Sequence, residues 1–116
     1  MEITHKSLTR VDVLTLTGRM DASSAPELER QIDQLFDQGH YRIVLDLSGL
    51  EYIASSGLRV LRAVRQQARD CEISDREAGD MRIANLTPRV RETFDLTGFS
   101  SFFENYSDTI EAVNSF

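Results

Sequence analysis

Tyr41–Leu47 is an almost unbroken apolar run, interrupted only by Arg42 and Asp46, and it restricts the fold more than any other segment. Such a run is typical of a strand covered on both faces, which is the environment of a central strand in a parallel sheet. Helical spacing of apolar residues predicts a helix over 25–38, and alternation predicts a strand over 11–17. Because parallel strands are joined through a crossover, this order predicts an α/β domain with right-handed connections.

The remaining elements follow from periodicity and from residues that favour turns or helix ends. We predict strands at 2–8 and 81–86, a turn at Ser48-Gly49, and helices beginning near Ser24, Ser55, Thr87 and Asp108. Ser24 and Glu27 have the spacing of a capping box. The order predicts one domain over residues 1–116, with a mixed, mostly parallel sheet of about four to five strands and about four helices.

Residues 70–80 form an acidic stretch without sustained periodicity. We predict a mobile loop here, or a frayed extension of the preceding helix. Its function is open between a solvated insertion and a partner contact, and loops of this composition are usually solvated.

Composition argues against several classes of function. The formal net charge is −6, whereas binding to phosphate backbones needs a dense basic surface, so we expect no nucleic-acid ligand. No apolar run approaches the roughly 18 residues of a membrane span. The single cysteine, Cys71, fits a reducing compartment, so we expect a cytoplasmic protein that does not insert into a membrane. His5 and His40 lack metal-ligand spacing, and no metal or cofactor is predicted.

Two hydroxyl groups stand where a helix is predicted to begin, in the segment Ser55-Ser56-Gly57. Free N–H groups and the positive end of the helix dipole favour an anion there, so a phosphate on either serine is tolerable. Such a phosphate presents up to two new negative charges to a partner. The alternative is that one serine only caps the helix and that Gly57 only allows close packing between helix and strand.

The same predicted helix carries four arginines along one stripe: Arg59, Arg62, Arg65 and Arg69. The stripe is open to two interpretations. It is either a surface for an acidic partner or a solvated helix face.

Five segments, in order along the chain, resemble signatures of the STAS domain, the fold of anti-sigma factor antagonists and of the C-terminal domains of sulfate transporters. Gly18–Asp21 is similar to the loop after the family's second strand, and Val44–Leu50 to its central strand and turn. Ile53–Leu61 resembles the phospho-acceptor turn and the helix that follows. Ile83–Val90 and Phe94–Phe99 are similar to the fourth strand and the third helix. The resemblance covers most of the chain.

The resemblance implies a mechanism called partner switching. An unphosphorylated antagonist binds an anti-sigma factor, which is also a serine kinase of the histidine-kinase-like ATPase type, and thereby frees a sigma factor for transcription. The kinase then phosphorylates the antagonist, and a metal-dependent serine phosphatase resets it. Carried onto this sequence, the acceptor is Ser55, with Ser56 as second choice. We assign the partner-binding surface to Asp21, Ser55, Ser56, Gly57 and Arg59.

The family usually has Asp immediately before the acceptor, where this chain has Ala54. This departure keeps open a second interpretation, a STAS accessory subunit of a membrane transporter complex that needs no phosphorylation. A serine hydrolase is the weakest interpretation, because a nucleophile needs a base and the predicted topology puts His40 at the opposite end of the sheet from Ser55. We therefore predict a regulatory binding module and not an enzyme.

Overall fold

The computed structural model describes all 116 residues, and its largest element is a five-stranded sheet. The strands are β1 Glu2–Ser7, β2 Asp12–Met20, β3 Arg42–Ile53, β4 Glu72–Ser74, β5 Glu77–Ala78, β6 Asp80–Ala84 and β7 Asn105–Tyr106. The helices are α1 Ala25–Asp37, α2 Ser55–Arg69, α3 Pro88–Thr97 and α4 Thr109–Asn114, with a 3-10 helix at Phe99–Phe102. The sheet order is β1-β2-β3-β6-β7, antiparallel between β1 and β2 and parallel elsewhere. The predicted mixed sheet with four helices is confirmed.

β3 is the central strand, paired in parallel with β2 on one side and with β6 on the other. Ile43 and Leu45 lie in the larger core with α1, α2 and α3, whereas Val44 lies in a smaller core with Ala112 of α4. Alternate residues of a strand face opposite sides of the sheet. Both faces of β3 are therefore covered, as its apolar run predicts.

β3 is longer than the sequence predicts, because Ser48-Gly49 does not turn the chain. The strand continues to Ile53, and its register against β2 shifts between Thr15 and Thr17, beside Gly49. A Cβ on Gly49 would lie 2.8 Å from Thr17 Oγ1, so the glycine allows two strands to approach closely. As a result, β2 and β3 both extend to the edge of the sheet where Ser55-Ser56-Gly57 lies.

The prediction of a mobile loop or helix extension over 70–80 is wrong. β4 and β5 pair as a short antiparallel hairpin with exposed side chains. Glu77 accepts a hydrogen bond from Arg42 at the start of β3, and its Oε2 lies 3.7 Å from Arg10 Nη2. Strands of two and three residues with exposed polar side chains have no periodic pattern, so the sequence did not indicate them.

A buried carboxylate closes the edge of the sheet where the parallel strands begin. Asp12 is 3% exposed, and each of its oxygens is bonded to a histidine: Oδ1 lies 2.8 Å from His5 Nε2, and Oδ2 lies 2.9 Å from His40 Nδ1. The three residues join β1, β2 and the connection between α1 and β3. His40 thus lies at the end of β2 opposite to Met20.

Candidate functional site

The ends of β2 and β3 meet at one edge of the sheet and begin the two loops of the candidate site. Met20, the last residue of β2, is the register partner of Ile53, the last residue of β3. The Ala54 N–H donates to the Met20 carbonyl oxygen at 2.8 Å, which holds the two loops together at their starting points. Asp21 and Ser55 follow directly from this junction. In open α/β sheets, ligands bind outside the carboxyl ends of the strands, which is this edge.

Ser55 is the first residue of α2 and is exposed, and Ser56 beside it is half-buried. Ala54 occupies the N-cap position, and no side chain forms a capping hydrogen bond there. The alternative in which a serine caps the helix is therefore wrong, because the cap position falls one residue before both hydroxyls. The first N–H groups of the helix consequently have no acceptor from the cap residue.

Gly57 is buried where α2 meets the ends of β2 and β3. A Cβ at this position would lie 2.9 Å from Ile53 Cγ1 and 2.9 Å from Met20 Sδ, which is closer than such atoms pack. The absence of a side chain therefore lets the first turn of the helix lie directly against the strand ends. This packing role is established, while the predicted role of Gly57 in partner binding stays a prediction.

Asp21 organises the neighbouring loop. Its Oδ1 accepts hydrogen bonds from the N–H groups of Ser23 at 3.0 Å and Ser24 at 3.1 Å, and from the Ser23 hydroxyl at 2.7 Å. Hydrogen bonds lower the pKa of Asp21 below its ordinary value. The largest contribution comes from the Ser23 hydroxyl, followed by the Ser23 N–H and then by the N–H and hydroxyl of Ser24. The predicted capping box does not form, because the Ser24 hydroxyl accepts from the Asp21 N–H and donates to the Arg19 carbonyl oxygen, each at 2.9 Å. Asp21 therefore carries a negative charge beside the segment Ser55-Ser56-Gly57, which we call the Ser55 turn.

Arg59 contributes a positive charge to the same edge. It is exposed and follows Ser55 by four residues on α2, so the two side chains share one face of the helix. Arg59 takes part in no ion pair within the chain. The site thus combines an exposed hydroxyl, an unpaired guanidinium and a carboxylate held in a turn.

No three His, Cys, Asp or Glu side chains are grouped so that they could hold a metal ion. None of the helices has the length and apolar character needed to cross a bilayer.

The family model described as the STAS domain matches residues 2–113. This chain belongs to the STAS domain family. A candidate anti-sigma factor antagonist, BtrV of Bordetella bronchiseptica, is 35% identical to it over 103 residues, which cover 89% of this chain and 84% of that protein. The crystal structure of an anti-sigma factor antagonist from Mycobacterium paratuberculosis matches with a TM-score of 0.80 and 25% identity, over 98% of this chain and 92% of that one.

SpoIIAA, an anti-sigma factor antagonist, shares the fold of this STAS domain. Its unphosphorylated form matches with a TM-score of 0.74 and 21% identity, over 98% of this chain and 95% of that one. Its phosphorylated form, from Bacillus, matches with a TM-score of 0.70 and 19% identity, over 98% of both chains. The family resemblance found in the sequence is confirmed, and by homology this STAS domain falls among the anti-sigma factor antagonists.

Two residues at this edge of the STAS domain were not indicated by the sequence. Arg19 and Tyr52 are register partners on β2 and β3, and Arg19 Cζ lies 4.3 Å from the centroid of the Tyr52 ring. Tyr52 is 38% exposed. Because alternate residues face opposite sides, the pair lies on the other face of the sheet from Met20 and Ile53. The sequence did not indicate this pair because the pairing depends on the register of β2 and β3. The turn predicted at 48–49 also placed Tyr52 outside the strand.

Proposed function

We propose that this STAS domain is an anti-sigma factor antagonist that binds an anti-sigma factor through the Ser55 turn and the Asp21 loop. The anti-sigma factor is a serine kinase of the histidine-kinase-like ATPase type, and its capture in the cytoplasm frees a sigma factor for transcription. Phosphorylation of Ser55 by that kinase ends the complex, and a serine phosphatase restores it. The STAS domain is the substrate in these reactions and is not itself an enzyme.

The exposure of Ser55 at the first position of α2 is the observation that carries the proposal. A phosphate there meets the free N–H groups and the positive end of the helix dipole. Arg59, one turn further along, supplies a guanidinium for a charge-assisted hydrogen bond. Phosphorylation is therefore compatible with the folded domain, and the structural neighbour SpoIIAA is known in both forms.

The phosphate acts on the partner and not on the fold. It adds about 1.5 to 2 negative charges to the middle of the proposed contact surface. A partner packed on the serine hydroxyl then has to desolvate this charge, and a charge left buried and unpaired at an interface costs about 2–5 kcal/mol. The corresponding loss of affinity is about thirtyfold or more.

Affinity capture followed by mass spectrometry and phosphopeptide mapping tests the proposal. We expect wild type and Ser55→Ala to retain the same anti-sigma factor kinase, with phosphate on Ser55 of wild type when ATP is supplied. Ser56→Ala is the matched control and keeps the phosphate on Ser55. Phosphate on Ser56 alone, or undiminished phosphate in Ser55→Ala, contradicts the assignment of the acceptor.

Ala54 supports a second candidate, an accessory subunit of a membrane transporter complex. The family's usual Asp before the acceptor is missing here, and a subunit that binds constitutively has no need of it. The same capture experiment separates the two candidates. A permease or transport ATPase retained equally by wild type and Ser55→Asp, without any phosphopeptide, selects the transporter role.

A further inference from the structure

A groove runs along α2 from Arg59, which lies one turn from Ser55, to Arg69 near the end of the helix. It encloses about 560 Å3 between the helix and the segment that follows α3. We call it the arginine groove and define it by six of its lining residues: Arg59, Arg62, Arg65, Arg69, Phe102 and Phe103.

The charges of the groove are mostly unpaired. Arg59, Arg62 and Arg69 take part in no ion pair, whereas Arg65 Nε lies 3.1 Å from Asp80 Oδ1. α2 contains no acidic residue and contributes a formal charge of +4. Since the net charge of the whole chain is −6, the residues outside α2 carry a formal charge of −10. Like charges on neighbouring helical turns destabilise a helix by about 0.2–0.5 kcal/mol per pair. The cluster therefore weakens the isolated domain while providing a local attraction for acidic partners.

Phenylalanine rings give the groove an apolar component. The Phe102 ring is 41% exposed, and Arg62 Cζ lies 4.9 Å from its centroid. Arg65 Cζ lies 5.7 Å from the centroid of the buried Phe103 ring. A guanidinium held over a ring keeps its N–H edge free for bidentate pairing with a carboxylate. The groove thus offers directed polar contacts beside an apolar one, which a solvated helix face does not.

We propose that the arginine groove binds an acidic, amphipathic segment of a partner protein, with carboxylates on the guanidiniums and an apolar side chain against Phe102. The row from Arg59 to Arg69 is about 15 Å long at the rise of an α-helix. Carboxylates on successive turns of a partner helix match a row of that length, whereas a compact phosphate group reaches only part of it. A nucleic acid is charged along its whole length and is repelled by the acidic remainder of the chain.

The groove is a different surface from the Ser55 turn. It extends from Arg59 toward the C-terminal end of α2, and only Arg59 belongs to both surfaces. Arg62 and Arg69 therefore test the groove without altering the proposed phosphorylation site. Both side chains are exposed, so their replacement leaves the core intact.

An NMR titration of the isotopically labelled domain at low salt tests the proposal directly. The probe is a synthetic helix-forming peptide of about 15 residues with Glu on successive turns of one face and leucines beside them. Its control has the same composition in scrambled order, and ATP and single-stranded oligothymidine are separate arms. We expect the patterned peptide to shift the amide signals of α2 and of residues 99–103, and to bind at least about tenfold more tightly than each of the other probes.

Charge-reversal variants locate the binding. Arg62→Glu combined with Arg69→Glu should weaken the patterned peptide at least about tenfold. Arg89→Glu combined with Arg91→Glu makes the same change of charge at exposed positions of α3 and should stay within about twofold. Equal binding of the scrambled peptide, undiminished binding by the α2 double variant, tighter binding of ATP or oligothymidine, or no binding of the patterned peptide overturns the proposal.

Discussion

The two edges of the central sheet use polar groups in opposite ways. At the edge where the parallel strands begin, the buried Asp12 has a histidine on each carboxylate oxygen. At the edge where β2 and β3 end, Ser55 is exposed, α2 begins without a side-chain cap, and Arg59 is unpaired. Satisfied buried groups specify a structure, and unsatisfied exposed groups are available to a partner. We infer from this comparison that the fold is held at the Asp12 edge, and the comparison supports the proposal that partner binding uses the Ser55 edge.

The largest effect on stability is expected at Gly79, close to the Asp12 edge. A Cβ there would lie 2.5 Å from the carbonyl oxygens of both Ala68 and Tyr41, and neither backbone can yield easily. We expect Gly79→Ala to lower the free energy of unfolding by about 3 kcal/mol, the upper part of the range for overpacked sites. Urea denaturation measures this. Gly39→Ala is the control for losing a glycine, since a Cβ at Gly39 meets nothing within 4 Å, although its φ of 82° adds some strain of its own. A Gly79→Ala variant as stable as wild type would contradict the conclusion that contacts near the Asp12 edge hold the fold.

Asp12 itself is expected to have the next largest effect. Asp12→Ala removes the acceptor for both His5 and His40 and should cost about 2 kcal/mol, because hydrogen bonds to charged groups are worth roughly 1.5–3 kcal/mol. Asp12→Asn keeps the shape and one acceptor, so it should cost about half as much. Chemical denaturation of the two variants tests this. Equal stability of wild type and Asp12→Ala would show that the Asp12 edge does not hold the fold.

A smaller effect on stability, which depends on pH, is expected at Asp46, which lies between the two edges. Burial alone would raise the pKa of this carboxyl, but the Ser48 N–H, the Asn85 amide and hydroxyls of Ser48 and Thr109 outweigh it and lower the pKa. A lowered pKa means that the unfolded chain binds a proton first as the pH falls. The stabilisation is therefore complete above the unfolded value of about 3.9 and is lost below it, down to the folded pKa.

The variant Asp46→Asn tests this pH dependence. The variant lacks the titrating group, so its urea midpoint should fall less than that of wild type between neutral pH and about pH 3. The gap in stability between the two proteins should narrow as the pH falls. A gap that widens in acid would contradict the direction of the pKa change.

The start of α3 was predicted from the sequence, because local chemistry determines it. Thr87 caps α3 by accepting the Val90 N–H at 3.4 Å, and Gly98 ends that helix with a φ of 77°. Both follow from residue preferences that operate within a few positions. The sequence also predicted the buried part of β3 as a central strand, because burial on both faces requires apolar residues throughout.

What the sequence did not predict depends on contacts between distant segments. His5 and His40 reach one carboxylate only after β1, β2 and the α1–β3 connection have assembled. The continuation of β3 past Gly49 depends on its register against Thr17 of another strand. The candidate site shows the same division, since the Ser55 turn was found from its motif, whereas Arg19 and Tyr52 became neighbours only through strand pairing.

The most direct measurement is the affinity of the captured anti-sigma factor for wild type, Ser55→Asp and Asp12→Asn, taken together with the free energy of unfolding of each. Ser55→Asp should lose about thirtyfold or more in affinity, while its stability stays within about 0.5 kcal/mol of wild type. Asp12→Asn should do the reverse, losing about 1 kcal/mol of stability and keeping its affinity within about twofold. Ser55→Asp binding the anti-sigma factor as tightly as wild type would contradict the assignment of binding and switching to the Ser55 edge.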